Sequence, residues 1–312
     1  FLFINFCLVV FTHFSQNTFI PDNNFEQALI DLGLDTAPLD NMVPTVNISG
    51  IVNLDVSGKN ISDLTGIENF SLLENLDCSN NQLSQLNTSQ NTNLIELFCF
   101  NNLLTNINVT KNTNLLRFWC HGNELTNLNI TQNISLISFR CEQNNITTLN
   151  VSNNRNLIIL SCQQNQIRSI NISNNIDLDQ FRCGRNLLSN LDVSNNKYLT
   201  LLSVEQNKIT NIDLTNNSLL RIFACFENEL TNLDLSDNKD LTDLNCSSNK
   251  LCSLNIRNGN NNNINSMNFS LNPDLNCVVV DDPNGNHIIW VPSSFSNYES
   301  SMSLCGNFVP ID

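Results

Sequence analysis

Positive charge is scarce in this chain. Only 14 of its 312 residues are Lys or Arg against 29 Asp or Glu, giving a formal net charge of −15. Nucleic acid needs a basic footprint to offset its phosphates, and anionic membrane surfaces attract the same charge, so neither is an expected partner. Histidine is nearly absent too: His13 lies in an apolar N-terminal run, His287 near the C-terminus, and only His121 in the body of the chain. Cys120 and His121 are adjacent, but neighbours in a strand point to opposite sides and cannot act as a nucleophile pair. There is no H-E-x-x-H, no G-x-S-x-G and no phosphate-cradling glycine loop. These absences argue against an enzyme, and neither a catalytic residue nor a cofactor is expected.

Long hydrophobic runs are missing as well. The longest, Phe1 to Thr12, is shorter than the roughly 20 apolar residues of a membrane span. It reads as the apolar core of a signal peptide over residues 1–16, truncated because Met and a basic leader are absent. The mature chain is therefore expected to be secreted or on the cell surface, without membrane insertion.

What is present is a repeat. Rows of 21 residues start at Leu73, Leu94, Leu115, Leu136, Leu157, Leu178, Leu199, Leu220 and Leu241, each close to L-x-x-L-x-C-x-x-N-x-L-x-x-L-x-V-S-x-N-x-x. A longer row begins at Ile51 and an eroded one at Ile264, well above the three or so coils that a stacked repeat needs. Each row holds two half-repeats, as in Leu94, Leu97, Cys99, Asn102 and then Leu104, Ile107, Val109, Asn112. Apolar residues two apart share one side of a strand, so both halves read as short strands facing a common core. The expected fold is a β-rich solenoid of parallel strands beginning at Leu76–Cys78 and Leu97–Cys99, flatter than a helix-backed horseshoe.

The asparagine columns, Asn81 to Asn249 and Asn91 to Asn238, fit amides that satisfy backbone groups left unpaired at the bends. Eight of the twelve cysteines occupy one slot, which Val56 and Val204 fill in other rows. That slot takes a small hydrophobe, and parallel side chains stacked about 4.8 Å apart are too widely set for disulfides. Free, buried thiols are expected there, with no metal, because no C-x-x-C pair or inward histidine accompanies them. Cys277 and Cys305 lie outside the slot, and in an exported chain they are the pair expected to bridge.

The rows resemble bacterial leucine-rich repeats of the nested 21-residue class over about Ile51 to Ile264. The segment from Phe19 to Gly33 is similar to the N-terminal cap of secreted Bacteroidetes leucine-rich-repeat proteins. In that cap Asn23 and Glu26 suggest a capping box, Phe25, Ala28, Leu29 and Leu32 an apolar stripe, and Gly33 a helix stop. The organisation expected is a cap over residues 17–50, a solenoid over 51–269 and a closing segment over 270–312. The resemblance implies binding and not catalysis.

The outward slots locate the candidate site. The second strand is monotonous outward, carrying Asn87, Asn108 and their successors. The first strand carries Phe98 and Phe100, then Arg117, Trp119 and His121, then Arg140 and Glu142, then Arg182. Aromatic residues flanked by Arg are the types enriched at binding hot spots. The expected function is recognition of a protein partner through this face, with His121 made pH-sensitive by Glu142. Two alternatives stay open: a glycan ligand stacked on Trp119, Phe98 and Phe100, or a structural rod with no discrete site. Asn-x-Ser/Thr sequons and the acidic run from Asp234 to Asp240 follow from the repeat and are not read as glycan or calcium sites.

Overall fold

The computed structural model describes residues 16–305 apart from 286 and 288. The expected signal peptide therefore lies outside the described residues, save Gln16. Twelve parallel strands form one sheet, from Asn53–Asp55 through Asn75–Asp77, Glu96–Phe98 and Arg117–Trp119 to Ser266–Asn268 and Trp290–Val291. Residues 21 apart are register partners through most of it, as in Leu97 with Phe118. The expected parallel solenoid is what the chain forms. Each strand is short and starts one residue earlier than the apolar pattern suggests. The Cys slot belongs to the bend that follows, where the Cys78 amide donates to Phe98 O at 2.8 Å.

The core is a set of files running across the coils. Leu97, Phe118, Phe139, Leu160, Phe181, Leu202 and Phe223 stack as one buried file, and the Phe118 and Phe139 rings lie 5.7 Å apart. Leu94, Cys99, Leu104, Val109 and their repeats fill the remaining inward slots. Burying a side chain of this size contributes about 1.5–3 kcal/mol, and no single coil can do so without its neighbours.

Each bend is closed by an asparagine. Asn165 donates through Nδ2 to Cys141 O and Cys162 O, both at 3.0 Å, and its Oδ1 accepts from the Ile146 amide at 2.9 Å. The residue before each such Asn sits in the left-handed region, with φ near 55° at Gln143 and Gln164, although only Gly122 in this column is glycine. In the second column Asn154 donates to Ile130 O and Asn133 O, while its Oδ1 has no partner among the described residues.

The second half of each row differs from the two-strand reading. Among the described residues regular strands appear there only at Asn232–Asp234, Ser253–Asn255, Val278–Val279 and Tyr298–Glu299, which pair as a separate parallel sheet. In earlier rows the half forms no regular strand: one backbone bond per coil joins its start to the next row, as in Leu103 N to Leu83 O and Glu124 N to Leu104 O, both at 2.9 Å, and buried pairs such as Ile107 and Val109 and the asparagine bonds hold the rest. No helix among the described residues occupies this half between Leu73 and Asp240. Both sheets continue past Phe269, with Val278, Val280 and Trp290 buried against the preceding coils.

At the N-terminal end a hairpin of Asn17–Phe19 with Met42–Pro44 and a helix over Asn23–Asp31 cover the first coil. The capping reading needs correction, because Asp22 and not Asn23 caps the helix. Its carboxylate accepts from the Asn24 and Phe25 amides and, on the other oxygen, from Ser62 and Asp63. Glu26 is fully buried and accepts instead from the amides of Asp40 and Asn41, tying down the returning loop. Leu32 is exposed, so the apolar stripe ends at Leu29. Gly33, at φ 73°, terminates the helix while the Leu34 amide bonds back to Leu29 O. Among the described residues no helix is long and apolar enough to cross a membrane.

Candidate functional site

The in-register sheet converts residues 21 apart into neighbours, so the first-strand outward slots form continuous files. In one file Phe98 pairs with Trp119, Trp119 with Arg140, Arg140 with Ser161, and Ser161 with Arg182. The Phe98 and Trp119 rings are 4.6 Å apart at a 34° tilt. From the following coil the Arg140 guanidinium carbon lies 4.6 Å from the indole ring centroid, a cation–π contact. In the next file Phe100 and His121 stack at 4.4 Å with planes 7° apart, and Phe100 also lies 6.5 Å from Trp119. The structure thus brings Phe98, Phe100, Trp119, His121 and Arg140 into one cluster.

Stacking has a consequence that the sequence does not show. The side chains lean on one another and are half-buried, with Phe98 of the preceding coil and Arg140 of the following one both packed against the Trp119 ring. Its indole N–H donates to Ser138 Oγ at 3.2 Å. Ser138 is buried, and its role was missed because a serine in an outward slot gives no signal in the sequence.

The basic residues are less available than their number suggests. Arg117 is exposed but ion-paired with Glu96 of the preceding coil. Arg182 donates to Gln180 Oε1 at 3.0 Å, and its pKa is held below the ordinary value by burial first and then by the Arg140 charge. It still stays protonated at neutral pH. The Arg140 Nε and one Glu142 oxygen are buried without a hydrogen-bond partner among the described residues.

His121 lies among opposing influences. Burial lowers its pKa, Glu142 pushes the other way, Arg140 adds to the lowering, and the net shift is downward. Desolvation, with the Arg140 charge, outweighs the single carboxylate and disfavours the protonated ring in the folded chain.

The cysteines fall into three groups. The eight in the repeat slot are buried and free. Burial pushes the Cys162 and Cys246 thiols up to about 12, and the others also rise. Cys252 is exposed and free, whereas Cys277 and Cys305 are disulfide-bonded with Cα atoms 5.6 Å apart. Among the described residues no group of three or more His, Cys, Asp or Glu could hold a metal ion.

No family model matches the chain, and no curated protein does. Solved structures do. The functional domain of InlJ from Listeria monocytogenes, described as including a cysteine ladder, is 28% identical with a TM-score of 0.69, over 85% of this chain and 68% of that one. The internalin InlF of Listeria monocytogenes is 19% identical with a TM-score of 0.54, over 85% and 92% of the two chains. A TDR receptor is 20% identical with a TM-score of 0.66, over 76% of this chain and 45% of that one. The fold is that of a leucine-rich-repeat solenoid.

Proposed function

We propose that this protein is a recognition module, secreted or held at the cell surface, that binds a protein partner through the first-strand face centred on Trp119. The observation that carries this reading is the stacked file of Phe98, Trp119 and Arg140. It is a rigid, half-buried aromatic ridge with a cation beside it, on a molecule whose net charge is strongly negative. Pre-ordered aromatic and arginine side chains lose little entropy on binding and are enriched at hot spots. A sugar ring stacks on an open aromatic face, and the Trp119 ring is already packed against Phe98 and Arg140, which favours a protein over a glycan ligand. The likeness to a receptor and to internalins supports a binding role and offers no parallel for catalysis.

The test is a surface-protein pull-down run beside a glycan array, followed by affinity measurements with Trp119→Ala and Phe98→Ala. Loss of about 2 kcal/mol or more for Trp119→Ala is expected. Unchanged affinity in both variants, with loss on changing Asn108 or Asn129, would place the site on the other face.

A further inference from the structure

Beside the aromatic ridge, at the edge where the chain enters the first strands, lies a groove of about 620 Å³. One wall is the file Leu116, Ile137 and Ile158, which are 36%, 37% and 42% exposed although apolar. Their backbones are bonded coil to coil, Ile137 N to Leu116 O and Ile158 N to Ile137 O, both at 2.9 Å. The same ladder places Asp179 next, its amide 3.0 Å from Ile158 O. The other wall is the file Ser135, Asn156, Asp177 and Tyr198. The groove therefore runs along the solenoid axis, aliphatic along one wall and ending at the exposed Tyr198 and the Asp177 carboxylate, with Asp179 next in the ladder just beyond it.

We infer that this groove binds an extended segment of a partner protein that carries an aliphatic side chain and, about three positions away, a lysine or arginine. Length supports an extended chain. Three coil steps of about 4.8 Å span about 14 Å, the reach of roughly four extended residues. Charge supports the basic residue. Asp177 makes no hydrogen bond and neither Asp177 nor Asp179 is in an ion pair among the described residues, although Lys197 and Arg155 lie on neighbouring turns. A cation between Asp177 and the Tyr198 ring gains both a carboxylate and an aromatic face. Asp179 accepts from neutral donors, Thr200 Oγ1 at 2.5 Å and Gln180 Nε2 at 3.4 Å, and its charge also acts on Arg182, so Asp177 is the carboxylate left for the ligand. The molecule's net charge of −15 draws a basic partner and repels both a second copy and an anionic lipid surface. The groove contains none of the ridge residues, so the inference stands apart from the reading of Trp119.

The experiment selects a linear-peptide display library on the full chain, then titrates a fluorescent synthetic peptide of the enriched sequence against variants of unchanged thermal midpoint. Enriched peptides should share the aliphatic residue and the basic one about three positions apart. Ile137→Ser should weaken the synthetic peptide about tenfold or more, and Asp177→Asn severalfold with a shallower salt dependence. Trp119→Ala should leave it within about twofold. Three results would overturn the assignment: enriched peptides without this pattern, binding that tolerates both Ile137→Ser and Asp177→Asn, or self-association of the chain that Ile137→Ser abolishes. Loss on Trp119→Ala with Ile137→Ser silent would also overturn it and would move the peptide to the aromatic ridge.

Discussion

The Arg140 guanidinium sits over the Trp119 indole, its central carbon 4.6 Å from the ring centroid. These residues are 21 apart in sequence and meet only because adjacent coils are in register. Their contact should be measurable as a coupling. In a double-mutant cycle of Trp119→Ala and Arg140→Ala, read by chemical denaturation, we expect about 0.5–1 kcal/mol of interaction energy. Strict additivity of the two single changes would show that the stack contributes nothing to stability.

The two asparagine columns should not be equal. Asn165 uses its oxygen and its amide hydrogens, whereas Asn154 uses only the latter. Each change to alanine orphans buried carbonyls, at about 1–3 kcal/mol. Asn165→Ala additionally strands the Ile146 amide and should fall at the upper end, above Asn154→Ala. Equal midpoints for the two variants, or the reverse order, would contradict this ranking.

Thiol chemistry separates the three cysteine groups. In the native protein without residues 1–16, only Cys252 should react with iodoacetamide, because burial keeps the eight ladder thiols covered and protonated. Denaturation should raise the count to nine, and reductant should release two more from the Cys277–Cys305 bridge. That bridge closes a loop of 28 residues and is expected to contribute about 3–4 kcal/mol. A larger increment with reductant would mean that ladder cysteines crosslink.

Acid should weaken the fold in two stages. His121 has a folded pKa below its ordinary 6.5, so the unfolded chain takes up a proton that the native state resists. Stability therefore declines as pH falls through the unfolded value. Glu142 opposes this and Arg140 reinforces it. Between about pH 7.5 and 5.5, wild type should lose more stability than His121→Gln. Asp192 and Asp213 act lower down: hydrogen bonds from Ser194 and Thr215 hold their carboxyls below the ordinary 3.8. For Asp22, burial pushes the pKa up but the hydrogen bonds from Ser62, Phe25 and Asp63 prevail. The stabilisation from these three is lost only as pH falls through their depressed values. Identical pH profiles for wild type and His121→Gln would remove His121 from the account.

The solenoid and its core were legible because the repeat states them nine times over. An apolar slot that recurs every 21 residues and alternates along each strand can satisfy all rows at once only by stacking them in register. The ridge residues were visible too, as variation within otherwise fixed columns. Their availability was not, because exposure depends on neighbours from other coils: Glu96 on Arg117, Ser138 on Trp119, Gln180 on Arg182.

The coil, its inward residues and the files that run across it could be read from the residues alone, because local periodicity dictates which side chains point together. Tertiary structure decided how those files meet their surroundings. It gave the helix cap to Asp22 and sent Glu26 to the loop, since a carboxylate bonds to whichever amides the fold brings near. It set the His121 balance in favour of desolvation, which depends on packing and not on the adjacent residue type. It also left Leu116, Ile137 and Ile158 bare at an edge. In sequence these read as ordinary apolar residues beside the core leucines, and only the path of the chain around the bend turns them outward.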